Sequence, residues 1–285
     1  MSRIGLAVHR FRPDALEVAR RVIEWATAHH LDVIVDESDV AAIHSSAATS
    51  GDVGDADLLV SIGGDGTMLR SVHVLNGREV PIIGVNLGQL GYLAVVEDDE
   101  VIEALDIWHS GTEGTDFHYD DRMLLEVSMW SNGARLTNHL ALNEVVIEKS
   151  EAGHTVRLGV DIDKAAFTTY AADGLILATP TGSTAYSMSA RGPILSPRLR
   201  AILMTPVSPH MLFDRSMVLD PQELVRIEVL GHRSVNVATD GELVHTLRPG
   251  DVVEVRAARE VARFVRFKEQ RFHQTLKSKF GLSDR

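Results

Sequence analysis

The sequence contains no cysteine. That excludes disulfides, thiolate metal sites and a cysteine nucleophile, and it fits a reducing compartment. Positive charge is also scarce: 28 Lys and Arg against 40 Asp and Glu leave a formal charge of −12. An acidic chain lacks the basic field that broad DNA or RNA binding needs, and it suits an enzyme that builds its anion sites locally. No apolar run approaches the roughly 18 residues that span a bilayer. The apolar run at residues 1–8 has His9, Arg10 and Arg12 after it, the reverse of an export signal. The expected setting is therefore the cytoplasm, with no membrane and no nucleic acid as partner. With 45% apolar and 24% charged residues over 285 positions, the chain is neither disordered nor collagenous, and it has room for two modest domains or one large one.

The first third alternates two periods. Residues 4–8, 32–35, 57–62 and 80–85 read as short buried strands, and residues 14–30, with Leu16, Ala19, Val22, Ile23 and Ala26 at helical spacing, read as a helix opened by Pro13. Further helices are expected at 68–75 and 99–109. The Ala-, Ser-, Gly- and Asp-rich stretch 41–56 reads as a mobile surface loop. This alternation implies a parallel sheet with helices on its faces. Beyond a linker at 111–115, strand patterns dominate: 123–130, 136–148, 156–162, 174–178, 201–205, 224–230 and 235–239. Asn132-Gly133 and Asp240-Gly241 sit between strand patterns as hairpin cues. The second part is thus mostly β, a sandwich or stacked sheets. A helix-like pattern returns at 272–280.

Gly63-Gly64-Asp65-Gly66-Thr67 follows a buried strand and opens a helix. A helix N-terminus offers unpaired N–H groups and a positive dipole end to phosphate, glycines let the backbone approach the anion, and Thr67 adds a hydroxyl. A carboxylate in such a loop repels the anion unless Asp65 has a task of its own, accepting a proton from an attacking hydroxyl or placing a divalent metal. Arg70, one turn on, balances the charge. The alternative is a plain tight turn. The loop is neither a Walker A loop nor the dinucleotide fingerprint. A second glycine turn, residues 86–92, follows the next strand, and the ends of adjacent parallel strands border the usual ligand crevice.

Two segments stand out in the second part. Asn143-Glu144 interrupts an apolar strand pattern; an amide and a carboxylate together can read an adenine edge and a ribose diol, although a solvent-facing strand position gives the same pattern. Residues 173–190 run from Asp173 through a buried strand into Pro180-Thr181-Gly182-Ser183-Thr184-Ala185-Tyr186. Hydroxyls, backbone N–H groups and an aromatic face crowd there, suited to a sugar, a phosphate or a flat base. Ser183 lacks a nucleophile elbow, which argues against a serine hydrolase. The 13 histidines show no ligand spacing for structural zinc. Residues 256–285 carry nine Lys and Arg against three acidic residues and read as a basic amphipathic terminal element packed on an acidic body.

Taken together, these segments resemble the NAD kinase family. The matching pieces are the Gly63–Thr67 loop, the 86–93 turn, Leu142-Asn143-Glu144-Val145, residues 173–190 and Pro206-Val207-Ser208-Pro209-His210. The first motif has relatives in diacylglycerol and sphingosine kinases and in phosphofructokinases; the long Thr-Pro-Thr-Gly-Ser-Thr-Ala-Tyr motif with Asn-Glu is far more specific.

The resemblance implies ATP-dependent phosphorylation of the adenosine ribose 2′-hydroxyl of NAD to give NADP. It implies a divalent metal ion, Mg, and a homo-oligomer, dimer or tetramer. ATP and NAD are the implied substrates, with polyphosphate an alternative donor. It also implies an α/β N-terminal domain with a Rossmann-like parallel sheet (1–112), a mostly β, sandwich-like domain (113–255) and a C-terminal segment (256–285) packing back on the first. By the same resemblance Asp65 is the general base. Asp65, Gly66, Asn143, Glu144, His154, Asp173, Thr184, Ala185, Tyr186, Ser187, Met188 and Ser189 bind NAD, Asp173 in its own or a neighbouring subunit. Gly63, Gly64, Gly66, Thr67 and Arg70 meet the ATP phosphates. Two residues depart from the family pattern: Arg191 stands where glycine is common, and Glu242 where Gln is common. The competing readings are a lipid kinase of the diacylglycerol or sphingosine type, a non-catalytic NAD(P)-binding regulator and a nucleic-acid-binding module.

Overall fold

The computed structural model describes residues 2–43, 45–88, 91–268 and 272–282; Gln89 and Leu90 of the second glycine turn lie outside them. The chain divides into two compact units, one of Met1–Asp121 with Ala262–Arg285, the other of Arg122–Val261. The expected limits at 112/113 and 255/256 differ from these. The observed limits fall inside two long strands, residues 118–131 and 252–266, where no turn or linker marks the boundary in the sequence.

The first unit is built on a parallel sheet of β1 (Arg3–Val8), β2 (Asp32–Val35), β3 (Ala48–Ser50), β4 (Leu58–Gly63), β5 (Ile82–Asn86) and β6 (Val96–Glu97). Its order is β3-β2-β1-β4-β5, with β6 paired to β5. Every residue of β4 and β5 is buried, as expected of strands covered on both faces. The covering helices are α1 (Pro13–Ala28), α2 (Glu37–Ile43), α3 (Asp65–Leu75) and α4 (Val101–Ser110). Helix α1 starts at Pro13, whose missing N–H costs nothing there, and buries Val18, Ala19, Val22, Ile23 and Ala26 against the core that holds Ile4, Leu6, Val60 and Ile62.

Two expectations change. The stretch 41–56 is not a structureless loop: it holds the end of α2, the edge strand β3 and a single 3-10 turn, Val53–Asp55. Its polar residues close local backbone bonds instead of marking disorder. Ser45 Oγ accepts the Ala47 N–H at 3.3 Å and Asp52 that of Gly54 at 2.9 Å, and a three-residue edge strand needs no apolar pattern. Helix α3 begins at Asp65 rather than at Met68, because Gly64 already accepts the N–H of Thr67 and Met68. An acidic first residue also complements the helix dipole.

The second unit is antiparallel. One sheet orders β14 (Met217–Leu219), β13 (Ile202–Val207), β12 (Gly174–Ala178), β9 (Glu144–Lys149), β16 (Val235–Thr239) and β17 (Glu242–Leu247). The other strands are β7 (His118–Ser131), β8 (Ala134–Ala141), β10 (Val156–Ile162), β11 (Ala165–Ala172), β15 (Val225–Leu230) and β18 (Val252–Arg266). Among these, β7 pairs β8 and β18, and β11-β10-β15-β18 run in sequence. Val145, Ile147, Leu175, Leu177 and Val237 from the first sheet share one core with Leu125, Leu158, Ile227 and Val255 from the second. Val146, Ile176, Ala178 and Leu203 face the other way and pack with Ala190 and Leu195. The segment holding a 3-10 turn (Thr181–Thr184) and the short helix α5 (Tyr186–Ser189) therefore leads into residues that cover the outer face of β9 and β12.

The single strand expected at 136–148 is two strands, parted at Leu142-Asn143. Strands β11, β14, β17 and β18 escaped the sequence reading. Asp163 and Lys164, at φ 49° and 68°, turn the β10–β11 hairpin without a glycine, and the charges of β18 hid its alternation. The last residues of β18 belong to the first unit, where Phe264 pairs in parallel with Ile82 of β5, and α6 (Phe272–Lys279) follows. No described helix is long and apolar enough to cross a membrane.

Candidate active site

In the first unit the glycine loop joins β4 to α3. Gly63 cannot carry a side chain, since a Cβ there would stand 2.2 Å from Thr67 Oγ1, whereas Cβ atoms at Gly64 and Gly66 would meet nothing within 4 Å. The loop is thus tight behind and open in front, at the start of α3, where the helix N-terminus favours an anion.

The Asp65 carboxylate lies in a cradle of backbone amides. Its Oδ2 accepts the Tyr92 N–H at 2.9 Å, and its Oδ1 accepts those of Leu93 at 3.0 Å and Ala94 at 3.4 Å. The second glycine turn is shaped for this contact: a Cβ on Gly91 would lie 2.2 Å from Asp65 Oδ1. Burial and the Asp65 charge push the Tyr92 phenol up from its ordinary pKa. Arg12 reaches in from before α1 and donates to the Leu87 carbonyl at 2.6 Å.

Arg70 does not stand free for phosphate. Its guanidinium grips Asp39 with two bonds of 2.7 Å and the Val8 carbonyl with a third of 2.7 Å. Asp39 is fully buried and also accepts the Val8 N–H at 2.9 Å. A buried carboxylate needs such a paired, hydrogen-bonded cation, and this need claims the side chain that the sequence assigned to phosphate.

In the second unit the break between β8 and β9 is organised by Asp240. Its carboxylate accepts the N–H of Leu142 at 2.8 Å, Asn143 at 2.7 Å and Glu144 at 3.1 Å. Asp240 and Gly241, at φ 49° and 87°, turn the β16–β17 hairpin as the Asp-Gly pair predicts. The same aspartate thus serves as both turn residue and clamp. Thr179 completes the brace: its N–H donates to the Asn143 carbonyl at 2.8 Å and its hydroxyl to that of Leu142 at 2.5 Å. Gly182 passes so close that a Cβ would lie 2.0 Å from the Asn143 oxygen.

Glu144 is 5% exposed, and its Oε2 has no hydrogen-bond partner among the described residues. Burial, reinforced by the nearby Asp240 charge and opposed by the Tyr186 N–H, pushes its carboxyl up to about 7. Burial also raises the Tyr186 phenol, with Glu148, Asp173 and Glu144 adding to the effect, although 39% of the residue is exposed. Lys149 holds Asp173 at 2.7 Å. Ser187 bonds Thr205 at 3.0 Å, and Thr184 donates to the Thr181 carbonyl at 3.3 Å.

Of the residues singled out from sequence, Asn143, Glu144, Asp173 and residues 184–189 of the second unit gather around β9, β12 and the segment that follows β12. His154 stands exposed in the turn between β9 and β10, apart from these contacts. Gly63, Gly64, Asp65, Gly66 and Thr67 form the loop of the first unit. Sequence reasoning gave no bracing role to Asp39, Thr179 or Asp240. Asp240 was visible only as a hairpin cue, and nothing in the order of residues ties it to a strand break almost a hundred positions earlier.

The ATP-NAD kinase N-terminal domain model matches residues 4–111, and the ATP-NAD kinase C-terminal domain model matches residues 142–267. The NAD kinase of Syntrophotalea carbinolica is 37% identical over 100% of both chains, and that of Heliobacterium modesticaldum 37% identical over 98% of both. The chain belongs to the ATP-NAD kinase family. Its fold is that of ATP-NAD kinases of known structure. Yeast NADH kinase complexed with NADH is similar at a TM-score of 0.90 and 27% identity, over 100% of this chain and 89% of the yeast one. An NAD kinase from Archaeoglobus fulgidus, solved in complex with ATP, shares the fold at a TM-score of 0.73 and 21% identity, over 99% of each chain. These matches lend no support to a lipid kinase or a nucleic-acid-binding module. Of the two departures from the ATP-NAD kinase pattern, Arg191 keeps a left-handed backbone, φ 66°, where glycine would sit without strain, and Glu242 opens β17.

Proposed function

We propose that this ATP-NAD kinase transfers the γ-phosphoryl group of ATP to the 2′-hydroxyl of the adenosine ribose of NAD, giving NADP and ADP, with Asp65 as general base. Family membership along both units supports the reaction, and the grip of three backbone amides on Asp65 carries its role. A carboxylate offers about four acceptor positions; three are filled, and the remaining one lies on Oδ2. That oxygen takes the ribose hydroxyl proton while the O2′–Pγ bond forms and the bond from Pγ to the ADP oxygen breaks. Holding the carboxylate in place is what matters, because phosphoryl transfer passes through a loose transition state and depends mainly on positioning and charge stabilisation.

Gly63, Gly64, Gly66 and Thr67 receive the ATP phosphates at the start of α3, and Arg70 braces the loop from behind through Asp39. Asn143 and Glu144 hold the adenosine part of NAD, the buried Glu144 Oε2 accepting from a ribose hydroxyl. Asp173, His154 and residues 184–189 complete the NAD contacts. A divalent ion, Mg²⁺ with ATP, neutralises phosphate charge when bound. Among the described residues no group of three or more Asp, Glu or His side chains is placed to hold a metal. The donors that fit are therefore phosphate oxygens and water with one or two carboxylates at most, a common Mg²⁺ arrangement. Exposed Phe167 and Phe213, edge to face at 5.8 Å, and the neighbouring exposed Leu212 support self-association. The absence of cysteine fits a cytoplasmic setting.

An NADP-forming assay with ATP, Mg²⁺ and NAD, coupled to an NADP-specific dehydrogenase, tests the reading. Asp65→Asn is expected to lose about 10²–10⁴-fold in turnover while NAD affinity by calorimetry survives. A folded Asp65→Asn protein with undiminished turnover removes Asp65 from the role, and a wild-type protein that makes no NADP overturns the reaction.

A further inference from the structure

The backbone that holds Asp65 is itself held from one direction. The Leu93 carbonyl accepts from Arg266 Nη1 at 3.0 Å. Arg266 ends β18; its side chain is 3% exposed and pairs with Asp120 at 3.2 Å. The peptide group that Arg266 grips through its oxygen is the one whose N–H, on Ala94, points at Asp65 Oδ1 at 3.4 Å. The cation, the peptide dipole and the carboxylate thus lie in series. A charged donor on the carbonyl polarises the group and strengthens its N–H as a donor.

One residue earlier, the Tyr92 N–H bonds Asp65 Oδ2, and the Tyr92 ring is clamped by α6. The Lys279 ammonium sits 4.5 Å from its centroid, and the Phe272 ring lies 6.3 Å away, tilted by 46°. A cation over an aromatic face is attracted by the ring quadrupole. Two separate points of the C-terminal return, 266 and 272–279, therefore converge on residues 92–94. Nothing in the sequence reading of 256–285, taken as a basic element packed on an acidic body, gave it a part in the chemistry.

We propose that Arg266, Phe272 and Lys279 are positioning residues that fix Asp65 for proton abstraction by clamping the backbone of residues 92–94. The inference rests on Asp65 being the base of the kinase reaction. None of the three touches the carboxylate, so their effect is on its placement and not on substrate binding. Small misplacements of a reacting group are costly, about 10²-fold for 1 Å.

The test measures kcat and KM for NAD and for ATP in the full-length enzyme with Mg²⁺, for Arg266→Met, Arg266→Lys and the double variant Phe272→Ala/Lys279→Ala, beside Asp65→Asn. Arg266→Met is expected to lower kcat about tenfold, with both KM values within about twofold, the signature of a contribution made in the transition state alone. Arg266→Lys restores part of kcat, because it keeps a cation within reach of the Leu93 carbonyl. The double variant, which changes surface side chains of α6, lowers kcat about threefold with KM unchanged. It keeps the proposal open to refutation should Arg266→Met fail to fold. Folded variants with wild-type kcat, or with losses confined to KM, overturn the proposal. If Asp65→Asn itself retains turnover, the general-base reading fails instead, and the two failures are told apart by that control.

Discussion

Replacing Glu144 by glutamine should make the ligand-free protein more stable at pH 8 and leave it nearly unchanged at pH 5. The carboxyl is 5% exposed, with one oxygen lacking any partner among the described residues, and its pKa is raised from 4.5 to about 7, first by burial and then by the Asp240 charge. A group whose folded pKa lies above its unfolded value binds a proton on folding. Its favourable contribution is whole below pH 4.5 and is lost as pH rises through 7. At about 1.4 kcal/mol per pH unit the full displacement is worth about 3 kcal/mol, an upper figure because a buried carboxyl can draw in water. Glutamine keeps the shape and removes the charge, so the difference in unfolding free energy between Glu144→Gln and wild type should grow by about 2–3 kcal/mol from pH 5 to pH 8. Urea unfolding of both proteins at the two pH values, without NAD, measures it. A difference independent of pH would show that Glu144 is not held as an unwelcome buried charge. It would also remove the case for reading its free oxygen as one kept for a ligand's hydroxyl.

Three further outcomes follow from the geometry. Gly91→Ala puts a Cβ 2.2 Å from Asp65 Oδ1; turnover should fall about 10²-fold while calorimetric NAD affinity stays, and unchanged turnover would mean that the cradle does not set the place of the carboxylate. Gly182→Ala drives a Cβ to 2.0 Å from the Asn143 carbonyl, so NAD affinity should weaken at least tenfold, about 1.4 kcal/mol, with wild-type affinity counting against the NAD site. Arg191→Gly relieves a left-handed backbone at φ 66°; set against the greater freedom of glycine in the unfolded chain, a gain of about 0.5–1 kcal/mol is expected, read as a rise in the denaturation midpoint.

The parts of the molecule that rest on local rules were legible in advance. Continuous apolar runs gave β1, β4 and β5, Pro13 and its helical spacing gave α1, and Asp-Gly gave the β16–β17 turn. The loop around Asp65 was legible because glycines and a carboxylate at a strand end carry a chemical reason with them. What stayed hidden depends on residues far apart in the chain. Asp240 reaches back to Leu142, Asn143 and Glu144, Arg70 is claimed by Asp39, and Arg266 meets Leu93. Each pairing is fixed by sheet order, which residue order does not display. Strand β18 was missed for a related reason. Its charges Arg256 and Arg263 find Glu126 and Asp121 on β7, so they serve a strand interior that composition reads as a solvated tail.

The clamp that Asp240 places on Leu142, Asn143 and Glu144 spans 96 to 98 positions, and this has a bearing on synthesis. A polypeptide emerging from the ribosome has its Asn-Glu pair long before it has the strand that braces it, and contacts so distant in sequence form late. The amides around Asp65 wait longer still for the arginine that holds their carbonyl. A chain broken off before residue 240 would carry both motifs and hold neither in working geometry. Prematurely terminated products would therefore leave the cell's nicotinamide and adenine nucleotides alone, and competence would come only with the last stretch of translation.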